Sequence, residues 1–339
     1  MREKDSFSLF PINSGFLLLE KRVLSLQDPR LSFDFAKWVK GADIKKHGKV
    51  IQLKGDLEMN YRFAKEIEGA DVLAHGDVIV ASRDIELNYR YAEDIKGANV
   101  KKHGKIIIDY GGCYLNYTYA ENIAGADIKA HGQVIIDSGD LEWNLEFARD
   151  ILGADLKAHG NVIIASKNLE YNYKFAHMIL HLRFILLDQR NSLDNYSNSE
   201  KKMVRDTLKQ IKAISIRDFG KVILDSKDLK YNYQFARDIK GSNVKKHGQV
   251  ILDSKDLEWN TLFASHVKGA DIRAHEQVIL ESKNPEWCFK FATWVRGANI
   301  EALKKVIKEA STLDNLEEML DVALERDSQA IYIKNMSFV

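Results

Sequence analysis

A glycine followed by a small residue recurs along this chain at a constant interval of 28 residues. These glycines are Gly41, Gly69, Gly97, Gly125 and Gly153, and then Gly241, Gly269 and Gly297. The two series lie three periods and four residues apart, so one degenerate repeat between them carries a four-residue insertion. A period of this length predicts stacked units of supersecondary structure, each burying its core against its neighbours.

Residues that typically start or end helices recur in each unit and predict two short α-helices. Asp43 and its equivalents can cap a first helix, Asp56 and its equivalents can cap a second, and the recurring glycine suits the end of the second. Pro29 and Pro285 each stand one residue after the second cap, where a helix tolerates proline. We therefore expect two helices of about eleven residues in each unit.

A β-solenoid is the alternative, because part of the unit alternates between apolar and polar residues as a strand would. The alternating residues are Leu57, Met59, Tyr61 and Phe63. In the last full repeat, however, the apolar residues follow helical spacing among strong helix formers. These are Ile300, Leu303, Val306 and Ile307. We predict an all-α solenoid of two-helix repeats.

The repeat frame divides the chain into five parts. They are an N-terminal segment 1–12, an array of six units 13–180, a degenerate repeat 181–212 with an insertion loop, a second array 213–312, and a capping helix and tail 313–339. The polar run 188–202 within the degenerate repeat is either a projecting binding loop or a hinge.

The composition excludes several classes of protein. The 50 Lys and Arg residues nearly balance the 49 Asp and Glu residues, so the chain lacks the overall basic charge of many nucleic-acid binders. Cys113 and Cys288 form neither a CxxC pair nor a disulfide framework, which favours a reducing, cytoplasmic location. We find no signal peptide in residues 1–13, and the apolar cluster 184–187 is too short to cross a membrane.

Known catalytic motifs are missing from the sequence. It contains no P-loop, no GxGxxG behind a strand, no GxSxG and no HExxH. A near-identical repeat also supplies few of the unique residues that a catalytic site requires. The sequence therefore predicts a protein that is not an enzyme and needs no cofactor or metal.

The repeat unit resembles that of a known group of proteins. Residues 269–281 read GADIRAHEQVILE and residues 282–295 read SKNPEWCFKFATWV. They are similar to the units of uncharacterised tandem-repeat proteins of phages, bacteria and large DNA viruses, and the likeness extends over nearly the whole chain. It implies a helical-repeat protein but no particular activity. A narrower hypothesis that it suggests is an inhibitor wrapped around a phage or host complex.

Three polar or small positions recur inside the unit, and we interpret each as structural. A histidine recurs at His47, His75, His103, His131, His159, His247 and His275. Phe219 and Leu303 fill the same position, which favours packing over a metal ladder. The next residue is usually glycine, as at Gly48, and we expect it to permit close approach by a neighbour. A recurring asparagine, as at Asn60, should bond to backbone groups of the turn between repeats.

Two surface positions are candidates for binding. The aromatic ridge consists of Trp143, Tyr171, Tyr231, Trp259 and Trp287. It either wedges between repeats or presents rings to a base or a peptide. The basic row consists of Lys45, Lys101, Lys129, Lys157, Arg217, Lys245 and Arg273. It either contacts phosphates or an acidic protein, or it is simply solvated and pairs with acidic residues of the second helix. Those residues are Glu66, Asp94, Asp150 and Asp238.

An extended repeat surface without catalytic residues predicts a binding scaffold whose partner is another protein or protein complex. The alternative is nucleic-acid binding along the basic row, with base stacking on the aromatic ridge. The sequence leaves the oligomeric state open.

Overall fold

The computed structural model describes residues 14–54, 56–189 and 197–310, and in these ranges the backbone forms α-helices and short turns with no strand. The prediction of an all-α solenoid is confirmed, and the β-solenoid is ruled out. The predicted segment 1–12 and the predicted capping helix and tail 313–339 lie outside the described residues. None of the described helices has the length and apolar character required to cross a membrane.

The apparent strand alternation has a simple origin. Leu57 to Phe63 lie in one helix, in which Asn60, Tyr61, Phe63 and Ala64 are all buried. This helix packs against its own repeat and against both neighbouring repeats, so its buried face is wide. A wide buried face places apolar residues at spacings of two as well as three and four.

The helices are numbered in chain order. The first ten are α1 (Ser14–Ser25), α2 (Pro29–Trp38), α3 (Ile44–Lys54), α4 (Leu57–Glu66), α5 (Val72–Ser82), α6 (Ile85–Asp94), α7 (Val100–Tyr110), α8 (Cys113–Asn122), α9 (Ile128–Ser138) and α10 (Leu141–Asp150). The next ten are α11 (Leu156–Ser166), α12 (Leu169–Gln189), α13 (Asn198–Ala213), α14 (Ile216–Ser226), α15 (Leu229–Asp238), α16 (Val244–Ser254), α17 (Leu257–His266), α18 (Ile272–Ser282), α19 (Pro285–Trp294) and α20 (Ile300–Glu309).

The chain divides into two compact units, Met1–Asp155 and Leu156–Val339. In the first unit, α1, α3, α5, α7 and α9 are the first helices of their repeats and pack side by side in one layer. The second helices, α2, α4, α6, α8 and α10, form the other layer. In the second unit the first helices are α11, α14, α16, α18 and α20, and the second helices are α12, α15, α17 and α19. Within each unit, the second helix of a repeat packs closely on the first helix of the next.

The degenerate repeat contains an additional helix. Helix α12 is 21 residues long and continues to Gln189, and α13 packs against both α11 and α12. The predicted polar run 188–202 therefore begins and ends in helices. Its central residues, 190–196, lie outside the described part of the chain.

The predicted caps are present. The Asp56 carboxylate accepts a hydrogen bond of 3.0 Å from the Met59 amide at the start of α4. Asp71 does the same for the Ala74 amide in α5, also at 3.0 Å. The glycine after each second helix has a positive φ, +83° at Gly69. That backbone conformation strains residues with a Cβ, so glycine marks the period of the repeat.

The recurring asparagine joins two helices of its repeat. Each of these side chains is fully buried. The Asn232 amide nitrogen donates to the carbonyl oxygens of Ile223 at 3.0 Å and Asp228 at 2.7 Å, and Asn260 bonds in the same way. These carbonyl groups lie near the end of the first helix and at the cap of the second. They flank the turn within the repeat, so the prediction of bonds to the turn between repeats is wrong, because a helical side chain points back towards the start of its own helix.

The glycine after each buried histidine permits the predicted close approach. A Cβ built on Gly76 would lie 3.0 Å from a ring carbon of Tyr91 in the same repeat. It would also lie 3.1 Å from Nε2 of His103 in the next repeat. The packing interpretation of this histidine position is confirmed, since the ring fills space between two repeats.

Two repeats replace this glycine with a buried glutamate. The Glu20 carboxylate accepts a hydrogen bond of 2.7 Å from the Asp43 amide. Glu276 accepts one from the Asn299 amide, and Arg273 donates to its other oxygen at 2.8 Å. Both carboxylates thus reach the cap residue of the following first helix.

Candidate functional site

The basic row lies on the outer face of the first helices. Each of its seven residues is the second residue of a first helix and is exposed to solvent. Lys45, Lys101 and Lys129 belong to the first unit. Lys157, Arg217, Lys245 and Arg273 belong to the second. Because each helix begins just before these residues, the cations lie at the positive end of the helix dipole.

The acidic residues expected to neutralise the basic row bind elsewhere. The pairs they form are Lys37–Glu66 at 2.6 Å, Lys65–Asp94 at 2.9 Å, Arg149–Asp150 at 2.7 Å and Arg237–Asp238 at 2.7 Å. All eight of these residues lie on second helices. The predicted pairing between the basic row and these acids is therefore wrong, because the two sets lie on different helix layers, whereas the exposure of the row agrees with simple solvation.

Tyrosines complete a hydrogen-bonded network on the second helices. Tyr117 donates to Asp150 at 3.1 Å, and Tyr173 donates to Asp238 at 2.8 Å. Arg149 and Tyr117 hold the pKa of Asp150 below its ordinary value. Ion pairs and hydrogen bonds of neighbouring repeats thus occupy much of the charge on this face.

The aromatic ridge wedges between neighbouring second helices. Its five rings are half-buried. The Trp143 ring lies 5.6 Å from the Tyr117 ring, centroid to centroid, and the Trp259 ring lies 5.6 Å from the Tyr233 ring. The Tyr231 ring lies 6.4 Å from a ring of the preceding second helix. This packing agrees with the wedge interpretation and leaves each ring only partly available to a ligand.

Sequence reasoning missed two tryptophans that are more exposed than those of the ridge. Trp38 is 74% exposed and Trp294 is 54% exposed. Both are the last residue of a second helix. Internal repeats place Glu66 or Asp94 there, so the available signal was an aromatic residue at an otherwise acidic repeat position.

An acidic row accompanies the basic row on the same outer face. It consists of Asp109, Asp137, Asp225, Asp253 and Glu281, each eight residues after a member of the basic row. All five are exposed. The amide nitrogens of Gln249 and Gln277 donate to Asp253 and Glu281 at 2.8 and 2.9 Å.

The order of these charges opposes the helix dipole. Helices α7, α9, α16 and α18 have no acid in the first turn and no base in the last. Acids near the N-terminus of a helix and bases near its C-terminus stabilise it by about 0.3–1 kcal/mol each. Within these helices the charges therefore run in the reverse order, and favourable signs are found at caps, with Asp127 and Asp271 at helix starts and Lys255 and Lys283 at helix ends.

Most of the basic row makes no ion pair with any residue that the structure describes. This holds for Lys45, Lys101, Lys129, Lys157, Arg217 and Lys245. Arg273 is the exception, since it pairs with the buried Glu276 at 2.8 Å. The outer face thus presents cations whose charge the repeat itself does not neutralise.

The residues able to hold a metal are dispersed. Within the described ranges, no group of three His, Cys, Asp or Glu side chains gathers as a metal site requires. The Nδ1 atoms of five buried histidines bond to asparagines, for example His247 to Asn232 at 2.7 Å. Burial lowers the pKa of His247 to about 4, so this ring is neutral at physiological pH.

Comparisons with known proteins add no relative. No protein-family model matches the chain, and no curated protein or solved structure matches it.

Proposed function

We propose that this protein is a non-catalytic scaffold that binds another protein through the outer face of its first helices. The observation that carries the proposal is the charge order of that face. In each unit a basic row and an acidic row run parallel, their order within the helices opposes the helix dipoles, and most of the basic row is unpaired within the described chain. A partner with the complementary order of charges would stabilise both rows at once.

The chemistry of the interior supports a role without catalysis. Five buried histidines are hydrogen-bonded to asparagines, and burial lowers their pKa to about 4, so they are neutral at physiological pH. Burial raises the pKa of the Cys288 thiol to about 11, so it is a poor nucleophile. Cys113 and Cys288 are both free thiols, which favours the cytoplasm as the location. The resemblance to phage repeats supports the narrower proposal of an inhibitor of a phage or host complex.

Nucleic-acid binding is the alternative, and the basic row is the observation that supports it. Two features of the same face oppose it. Cap carboxylates stand two residues before several members of the row, as Asp127 does before Lys129. The acidic row lies about 12 Å farther along each helix, as expected for eight residues, and would repel a phosphate backbone. We therefore favour a protein partner.

The test is capture by the tagged full chain from a lysate of its source cells, with one half treated with nuclease. The decisive variant replaces Arg217, Lys245 and Arg273 with serine. The control replaces Lys227, Lys255 and Lys283 with glycine. These lysines are exposed residues at the far end of the same helices, with positive φ, so glycine should be tolerated there. Both variants remove three positive charges from the same repeats.

We expect one protein to be retained in both halves by the unmodified chain and the control, and lost with the serine variant. Material retained only without nuclease would favour the nucleic-acid alternative. Equal retention by the serine variant and the control would overturn the assignment to this face, and failure to retain any macromolecule would overturn the scaffold proposal.

A further inference from the structure

Three consecutive first helices of the second unit carry charges of opposite sign at the same two positions. The three pairs are Arg217 and Asp225 on α14, Lys245 and Asp253 on α16, and Arg273 and Glu281 on α18. Eight residues separate the members of each pair, which places them about 12 Å apart along the helix. The three helices pack side by side, so they present a basic row and an acidic row of three charges each.

The pattern ends on both sides of these three helices. On α11, Ala165 stands where the acid would be, and on α20, Glu301 stands where the base would be. The alternating face is therefore centred on α16.

A two-fold rotation about an axis that lies in the plane of the face, perpendicular to the helices and midway between the rows, brings two copies face to face and exchanges the two rows. It sets Lys245 of one copy opposite the partner's Asp253. It also sets Arg217 opposite the partner's Asp225, and Arg273 opposite the partner's Glu281. All six side chains of each copy then face a charge of opposite sign, as an isologous interface requires.

We propose that this face binds a second copy of the chain in this antiparallel two-fold arrangement. The proposal rests on the proposed function because it uses part of the same outer face, and it names the partner. Arg217 and Lys245 pair with no acid among the described residues, so they are available to a second copy. Gln249 and Gln277 already hold the opposing carboxylates, which lowers the entropic cost of ordering them.

The chemistry of the face predicts a polar and reversible dimer. Among the described residues of the second unit, the exposed large apolar side chains are Phe184 and Trp294, and neither lies on α14, α16 or α18. Ion pairs between exposed charges are individually weak and are screened by salt. We therefore expect dimerisation to weaken steeply as ionic strength rises.

The test is sedimentation equilibrium of the purified full chain in low and high salt, with two charge-reversed variants. The acidic variant carries Arg217→Glu, Lys245→Glu and Arg273→Glu. The basic variant carries Asp225→Lys, Asp253→Lys and Glu281→Lys. Each variant alone would place like charges opposite each other, whereas a mixture of the two would place opposite charges together. The same glycine variant of Lys227, Lys255 and Lys283 is the control, and circular dichroism checks that every variant is folded.

The unmodified chain and the glycine control should dimerise, with a dissociation constant that rises at least about tenfold for a severalfold increase in salt. Each charge-reversed variant should be monomeric, and their equimolar mixture should form a heterodimer. If a triple variant does not fold, the same comparison is made with Lys245→Glu and Asp253→Lys alone, on the central helix. A monomeric unmodified chain at every concentration, or dimers of both reversed variants, would overturn this proposal. A monomer that still captures a different protein would leave the proposed scaffold function standing.

Discussion

Nδ1 of His75 lies 2.7 Å from Oδ1 of Asn60, the side chain fifteen residues before it. The Asn60 amide nitrogen donates to the carbonyl oxygens of Ile51 and Asp56, so its oxygen faces the ring. An amide oxygen can only accept, and therefore the neutral imidazole carries its hydrogen on Nδ1. The same contact, at 2.7–2.8 Å, joins Asn88 to His103, Asn116 to His131, Asn232 to His247 and Asn260 to His275. One asparagine thus ties together three helices from two successive repeats.

Replacing Asn232 with alanine should destabilise the second unit more than replacing Asn172. Both changes remove two hydrogen bonds to backbone carbonyl groups. Only Asn232→Ala also leaves a buried imidazole N–H without an acceptor, because Phe219 stands where a histidine would meet Asn172. An unsatisfied buried donor costs about 1–3 kcal/mol, so the two losses should differ by that amount. Urea unfolding followed by circular dichroism measures both, and equal losses would contradict the role assigned to the ring.

The stability of the protein should fall as the pH drops below about 6.5. Burial lowers the pKa of five histidine rings to about 4. They are His75, His103, His131, His247 and His275. In the unfolded chain these rings take up protons near pH 6.5, whereas in the folded chain they remain neutral until about pH 4. Their contribution is therefore complete above pH 6.5 and is lost progressively towards pH 4, by up to about 3 kcal/mol for each ring.

The measurement for this pH dependence is the free energy of unfolding across pH 4.5 to 7.5 by urea titration, in steps of about half a unit. His247→Phe copies the ring that the chain itself places at residue 219. This variant should be less stable at pH 7.5, because Asn232 loses its donor, but should depend less on pH. An unchanged pH dependence would mean that His247 does not take up one of the protons that the chain binds when it unfolds at low pH.

Gly76→Ala should destabilise the first unit, although alanine in a helix interior usually stabilises by about 1 kcal/mol relative to glycine. The new methyl group would lie 3.0 Å from a ring carbon of Tyr91 and 3.1 Å from Nε2 of His103. Overpacking of this kind costs about 1–3 kcal/mol. Thermal unfolding measures the change. The control is Ala81→Gly at an exposed position of the same helix, which should cost about 1 kcal/mol through helix propensity alone. A more stable Gly76→Ala variant would disprove the close packing.

Gly112→Asp should stabilise the first unit by about 0.5–1 kcal/mol. Gly112 occupies the cap position of α8 without a side chain to bond the helix, whereas Asp84 and Asp140 cap the neighbouring second helices. Its φ of −77° is ordinary for any residue, and a Cβ there meets no atom within 4 Å. The comparison is with Gly112→Ala, which restricts the unfolded chain equally but adds no acceptor. A midpoint of thermal unfolding no higher for aspartate than for alanine would show that no cap forms.

Much of the architecture could be predicted from the sequence because the relevant signals are local. The aspartates at helix starts and the glycines after second helices each act within one turn of backbone, and they recur with the 28-residue period. Local geometry places Asp56 and Gly69 in the same way in every repeat, so repetition makes each signal visible several times. The asparagine was correctly expected to bond to backbone groups, but its partners flank the turn within the repeat and not the turn between repeats. Its second partner, the histidine fifteen residues later, was missed, although His275 gives way to Leu303 where Asn260 gives way to Cys288.

The tertiary structure alone decided which surface charges are already paired. The sequence alone does not show which opposite charge Lys129 or Asp150 pairs with, because several lie in the neighbouring repeats. Packing places them on different layers, where Asp150 bonds to Arg149 and Tyr117 and Lys129 pairs with no described acid. Packing also places the Trp143 ring of the aromatic ridge against Tyr117 of the preceding second helix, whereas the Trp38 ring remains exposed. Local backbone preferences depend on a few adjacent residues and repeat with the sequence, whereas pairing and exposure depend on distances between helices, which only their packing sets.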